Sequence, residues 1–169
     1  MKTTTFDNHL HPALEQLHKN TCVWIGHMNP GPADHFGGQT FQCPRDGGLK
    51  KIQVYSIVVS HPGKLTLTLH EFDKQRKEWG QILSSAEIEI DENDGEQWIQ
   101  FPLQTVQVKK DRTYGFRLRS ADALVAIGEA AWPSKSPFVY GEEWNINNIE
   151  NKDHYYRYFS LAFKVELRA

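Results

Sequence analysis

Residues 158–168 read YFSLAFKVELR, and they alternate. Phe159, Leu161, Phe163, Val165 and Leu167 fall on one side, and Ser160, Ala162, Lys164, Glu166 and Arg168 on the other. Period two over this length predicts a strand with one face toward a core. The same alternation runs through KLTLTLHEF (64–72), where Leu65, Leu67 and Leu69 oppose Thr66, Thr68 and His70. In TYGFRLRS (113–120), Tyr114, Phe116 and Leu118 oppose Gly115, Arg117 and Arg119. These segments read as half-buried antiparallel strands.

Further strands are expected at GQTFQC (38–43), LKKIQVYSIVV (49–59), ILSSAEIEI (82–90), EQWIQFPL (96–103) and ALVAIGEA (123–130). Turn-forming clusters separate them: RDGG at 45–48, HPG at 61–63, DENDG at 91–95, KKD at 109–111 and SAD at 120–122. Short strands punctuated by turns, without helical crossovers, predict an all-β fold, a two-sheet antiparallel β-sandwich of jelly-roll type. An edge-closed barrel is the main rival. PALEQLHKN (12–20), with Leu14 and Leu17 three apart, is the one stretch with helical spacing.

Residues 1–35 differ in composition. They hold His9, His11, His18, His27 and His35, five of the eight histidines, and an irregular NPGPAD. They read as an N-terminal extension packed on a β-sandwich domain at 36–169, with a strand through TCVWIG. The 169 residues suffice for one core without staples. Lys and Arg number 19 against 21 Asp and Glu, a net charge of -2, which offers phosphate backbones and anionic lipid no broad attraction. Nucleic acid and membrane are not expected partners, and Lys50, Lys51, Lys109, Lys110, Arg112, Arg117 and Arg119 read as solvated strand faces. No apolar leader or membrane span is evident, so a soluble, cytoplasmic protein is expected. Cys22 and Cys43 read as free thiols, small residues of the core. Exposed strand edges leave a protein partner or a homodimer open.

The stretches GGQTFQCPRDGGLKKIQVYS, PGKLTLTLHEFD, EQWIQFPLQTVQVKKDRTYGFRLRS and YYRYFSLAFKVEL together resemble the galactose-binding-like and carbohydrate-binding-module jelly rolls of bacterial proteins. The resemblance covers about residues 37–167. It implies a non-catalytic ligand-binding or interaction module, and such sandwiches commonly carry structural calcium, here near 91–95 or Asp73.

The candidate site is the region 126–148, whose first part reads AIGEAAWPSKSPFVYGEEWN. Carbohydrate sites stack an aromatic ring on the apolar face of a sugar and set carboxylates and amides against its hydroxyls. Trp132, Tyr140 and Trp144 could supply the rings, and Glu129, Glu142, Glu143, Asn145 and Asn147 the hydrogen bonds. The competing reading packs these rings over the open end of a core, giving a structural or protein-interaction domain. If YGEEW is a strand, Tyr140, Glu142 and Trp144 face alike. A small hydrolase would need two carboxyls facing one bond; Glu142 and Glu143 point apart as neighbours, and only Glu129 with Glu142 is conceivable, so an enzyme is not expected.

Metal signals are weak. His9 and His11 flank one residue, and a third ligand would come from His18, His27, Asp34 or His35, so solvated histidines are the favoured reading. DENDG lacks the spacing of an EF-hand and reads as an acidic hairpin turn. No phosphate-cradling glycine loop or nucleophile elbow occurs.

Overall fold

A computed structural model describes residues 12–27, 34–147 and 152–168. His9 and His11 lie outside them, as does Asn148. The chain is all-β, with thirteen strands among the described residues: β1 Leu14–Gln16, β2 Thr21–His27, β3 Asp34–Gln42, β4 Gly47–His61, β5 Gly63–Asp73, β6 Glu78–Ile90, β7 Gln97–Val108, β8 Thr113–Arg119, β9 Leu124–Ala131, β10 Glu143–Asn147, β11 His154–Tyr156, β12 Phe159–Leu161 and β13 Phe163–Arg168. A 3-10 turn at Glu92–Asp94 joins β6 to β7.

All pairings are antiparallel, and they run in the order β1-β13-β4-β9-β2-β3-β8-β5-β6. β7 lies along β4, β12 along β9, and β10 joins β3 to β11. The sheet curls until β6 returns toward β7, where Ser84 Oγ donates to the Gln104 carbonyl at 3.3 Å.

The period-two residues turn inward as their pattern dictates. Leu65, Leu67, Leu69, Phe116, Leu118, Leu161 and Phe163 are fully buried, and Val165 and Leu167 nearly so. The alternating run of 158–168 is interrupted at Ala162, whose N–H donates to the Gly128 carbonyl while its own carbonyl accepts from Tyr55 N–H. There the chain leaves β9 and continues along β4, so one alternating run serves two neighbours.

The one stretch with helical spacing, 12–20, contains the strand β1 instead of a helix. Ala13 N–H donates to the Val165 carbonyl, and Leu14, Glu15 and Gln16 pair with Val165, Lys164 and Phe163. A short helix has few internal bonds to offset its nucleation cost, whereas an open strand edge satisfies the same backbone at once. The strand expected through TCVWIG is β2. It lies inside the sheet, between β9 and β3.

β2 ends on a steric requirement. Gly26 has φ +119°, and a Cβ there would stand 1.9 Å from the Ala123 carbonyl oxygen. Gly26→Ala is expected to cost about 3 kcal/mol, combining backbone strain with displacement of the 120–123 turn. Chemical denaturation measures this, and a loss under about 1 kcal/mol would show that the turn yields freely.

The outer faces are less exposed than half-buried strands imply. Thr68 and His70 are buried beneath Trp79. His70 Nδ1–H donates to the Gly80 carbonyl at 3.1 Å, and its Nε2 accepts from the Thr68 hydroxyl at 2.7 Å. Burial pushes the imidazole pKa down, which keeps it in this neutral form.

Candidate functional site

The region 126–148 sends its aromatic side chains into four different surroundings. Phe138 plugs the core, its ring 5.2 Å from that of Phe163. Trp132 lies half-buried beside His18, with the Lys135 ammonium 4.5 Å from its ring. Tyr140 is exposed and shares a small groove with Glu142, Lys74 and Lys77. Trp144 is only 5% exposed, set against Phe72, Trp79 and Tyr155. The three rings therefore do not form one platform. Glu142 accepts from Lys77 Nζ at 2.7 Å, on the side of β10 that carries Trp144 and Tyr155.

The opposite side of β10 faces the interior. Glu143 and Asn145 stand across from Gln39 and Gly37 of β3, on the face that two residues further carries Phe41 into the core. From β9, Glu129 arrives two residues after Ile127 and shares its inward face. Glu129 and Glu143 thus meet, 5% and 1% exposed, within hydrogen-bonding contact of each other.

Two carboxylates in contact cannot both be charged at low cost. Burial first, and then the hydrogen bond and negative charge of Glu129, hold the Glu143 carboxyl well above the ordinary carboxylate range. Glu143 therefore keeps its proton to higher pH than an ordinary carboxyl, and in that form it donates to Glu129. Its Oε2 accepts from Asn145 Nδ2 at 3.4 Å, while its buried Oε1 meets no donor among the described residues. Nearby polar groups are committed elsewhere: Gln39 Oε1 accepts from Leu161 N–H at 3.0 Å and from Ser160 Oγ at 3.4 Å.

This pairing has a thermodynamic signature. Because the folded-state pKa of Glu143 is raised, its contribution to stability is complete below the ordinary carboxyl pKa and is lost as pH rises through the folded value. Glu143→Gln replaces the acid by an amide that also donates to Glu129, without that loss. The variant is expected to gain on the native protein in Tm as pH rises from about 5 to about 9. Parallel Tm profiles would contradict the shared proton.

Above the pair the fold opens. β2 meets β3 only at Gly26 and His27, then turns away along β9. Its side chains consequently stand across a gap from β10 and β11, a cleft of about 430 Å³ lined by Trp24, His35, Phe36, Asn145, His154 and Tyr156, with Val23 and Ile146. Tyr156 is the cross-strand partner of Glu143, and His154 that of Asn145. Asn145 connects the two levels, since it lines the cleft and donates to Glu143.

Of the six residues expected at the site, Asn145 lines this cleft, and Glu129 is buried against Glu143, to which Asn145 donates. Trp132, Tyr140, Glu142 and Trp144 lie elsewhere. The sequence reading did not single out Trp24, Phe36, His154 or Tyr156. The signal available was parity: in EWN Glu143 and Asn145 share one face, and in DHFGGQ His35 and Gln39 share one with Gly37 between them, which marks one polar face on each strand once the two are paired.

Among the described residues, no three His, Cys, Asp or Glu side chains converge as a metal site requires. His18 is spent on Trp132, and His27 Nδ1 lies 2.6 Å from Asp34 Oδ1. Asp91 and Asp94 cap the 3-10 turn, accepting from Asn93 and Asp91 N–H at 2.8 Å each. Asp73 accepts from Gln75 and Arg76 N–H in its hairpin. Among the described residues no helix is long and apolar enough to cross a membrane. Comparison with protein-family models and with curated proteins found no match.

Proposed function

We propose that this chain is a non-catalytic module that binds a carbohydrate or similar polar ligand, and that the ligand enters the cleft between β2 and β10–β11. The observation that carries this reading is the lining itself. Trp24, Phe36 and Tyr156 offer ring faces, and His35, Asn145 and His154 offer hydrogen bonds within the same 430 Å³. That mixture suits a ring with apolar faces and an equatorial fringe of hydroxyls. The module would then be a two-sheet jelly roll of the galactose-binding-like kind, a reading that rests on the turn-and-core pattern of residues 37–167.

Catalysis is not part of the proposal. Glycoside hydrolysis requires its two carboxyls roughly 5–9.5 Å apart on either side of a bond. Glu129 and Glu143 touch each other, and both are buried and outside the cleft lining.

Thermal unfolding against a panel of mono- and oligosaccharides tests the reading. A ligand at about 100 times its Kd adds roughly 2.7 kcal/mol to the folded state, a readily measured shift. The shift should persist in Tyr140→Ala and vanish in Trp24→Ala and Asn145→Ala. Absence of a shift with every saccharide would overturn it. That outcome would favour a protein-interaction domain, for which Val139 and Tyr140 form an apolar, exposed pair at 76% and 56% exposure.

A further inference from the structure

Away from the cleft, β13, β4 and β7 lie side by side and share an outer face. Ile52 and Val54, Ile99 and Phe101, and Phe163 and Val165 turn into the core. Lys51, Gln53 and Tyr55, Trp98 and Gln100, and Lys164 and Glu166 therefore stand on the opposite side.

Two rings and two ammonium groups meet on that face. Tyr55 and Trp98 are cross-strand partners with ring centroids 5.4 Å apart. Lys19 Nζ stands 4.1 Å from the centre of the Tyr55 ring, and Lys164 Nζ 4.2 Å from that of Trp98. Gly128 of β9 makes room for this stack, since a Cβ there would lie 3.2 Å from Lys19 Cδ and 3.3 Å from Tyr55 Cδ1. The other polar groups are tied to one another: Gln53 Nε2 donates to Glu166 at 2.8 Å, and Lys51 Nζ donates to Gln100 at 3.2 Å and lies 3.3 Å from Glu166. Glu15 on β1, the cross-strand partner of Lys164, is the second acid here.

An ammonium is strongly hydrated, so a ring face that carries one is open to water. Both rings are only half-buried, and each offers a flat apolar surface with a cation beside it. A nucleobase stacks on such a surface whatever its sequence, and the ammonium it displaces then lies beside a phosphate. A sugar would also need hydrogen bonds at its rim, and the amides and the Glu166 carboxylate of this face are already engaged with their neighbours. The net charge of -2 conceals the arrangement because it sums the whole chain.

We infer that this outer face is a docking surface for single-stranded nucleic acid, with successive bases on Tyr55 and Trp98 and phosphates at Lys19 and Lys164. It is separate from the cleft and does not rest on the carbohydrate reading.

Fluorescence anisotropy of a dye-labelled oligothymidylate titrated with the full chain at low salt tests this. Binding is expected, with log K falling against log salt concentration at a slope of about -1.4, the value for two phosphates of a single strand. Trp98→Ala should weaken it about tenfold. The double variant Lys19→Gln, Lys164→Gln changes only side chains outside the core, and it should bring the slope toward zero. Inorganic polyphosphate, which has the charge without the bases, should compete far less well than unlabelled oligothymidylate. No binding at low salt would overturn the inference. So would an unchanged affinity in Trp98→Ala, an unchanged slope in the double variant, or equal competition by polyphosphate. Neither variant alters a cleft residue, so the saccharide panel decides the carbohydrate reading separately.

Discussion

Replacing Phe163 with alanine is expected to lower the unfolding free energy by about 3–5 kcal/mol. Phe163 is fully buried where four rings meet, 5.2 Å from Phe138, 5.7 Å from Phe116 and 6.2 Å from Phe41. These partners come from the 132–142 connection, β8 and β3, so the ring ties the connection to the sheet. Collapse around the truncated side chain would require all of them to move. Phe163→Leu keeps most of the volume and should cost about 1.5 kcal/mol. Urea unfolding measures both values, and a loss below about 1.5 kcal/mol for Phe163→Ala would mean the core is looser than its burial indicates.

Trp144→Ala should be nearly as damaging, at about 3–4 kcal/mol. The indole touches Phe72, Trp79 and Tyr155 at ring separations of 5.6, 5.9 and 5.0 Å, and Trp144 is the cross-strand partner of Gly38 on β3. Trp79 in turn carries the Arg117 guanidinium 4.2 Å from its ring, and Arg117 bonds Asp153 at 3.0 Å. Loss of Trp144 would loosen this whole outer layer. The indole N–H is buried without an acceptor among the described residues, so Trp144→Phe removes an unsatisfied donor as well as some area. That variant should stay within about 1.5 kcal/mol of the native protein. A mild Trp144→Ala, combined with loss of saccharide binding, would instead make Trp144 a ligand contact.

The strands were legible because alternation is local. A run such as KLTLTLHEF declares its inner and outer residues whatever it pairs with, and its three leucines are fully buried. β1 was not legible. Three residues with no period of their own become a strand because the edge of β13 accepts them. The two faces of β10 show the same limit at the candidate site. Adjacent Glu142 and Glu143 point apart, as strand geometry demands, but which of them meets Glu129 depends on the register of β10 on β3, set by contacts about 100 residues away in sequence. Glu142 found Lys77, and Glu143 found Glu129. The cleft is less legible still, since it exists only where β2 parts from β3, and no stretch of either strand records that separation.

The most direct test of the account is to map a ligand onto the cleft residue by residue. Amide resonances of the nitrogen-15-labelled protein would be followed as saccharides of the panel are added. The account predicts shifts concentrated at Val23 and Trp24, His35 and Phe36, Asn145 and Ile146, and His154 to Tyr156. Shifts centred instead on Trp132 and Tyr140, or an unchanged spectrum at saturating sugar, would contradict it.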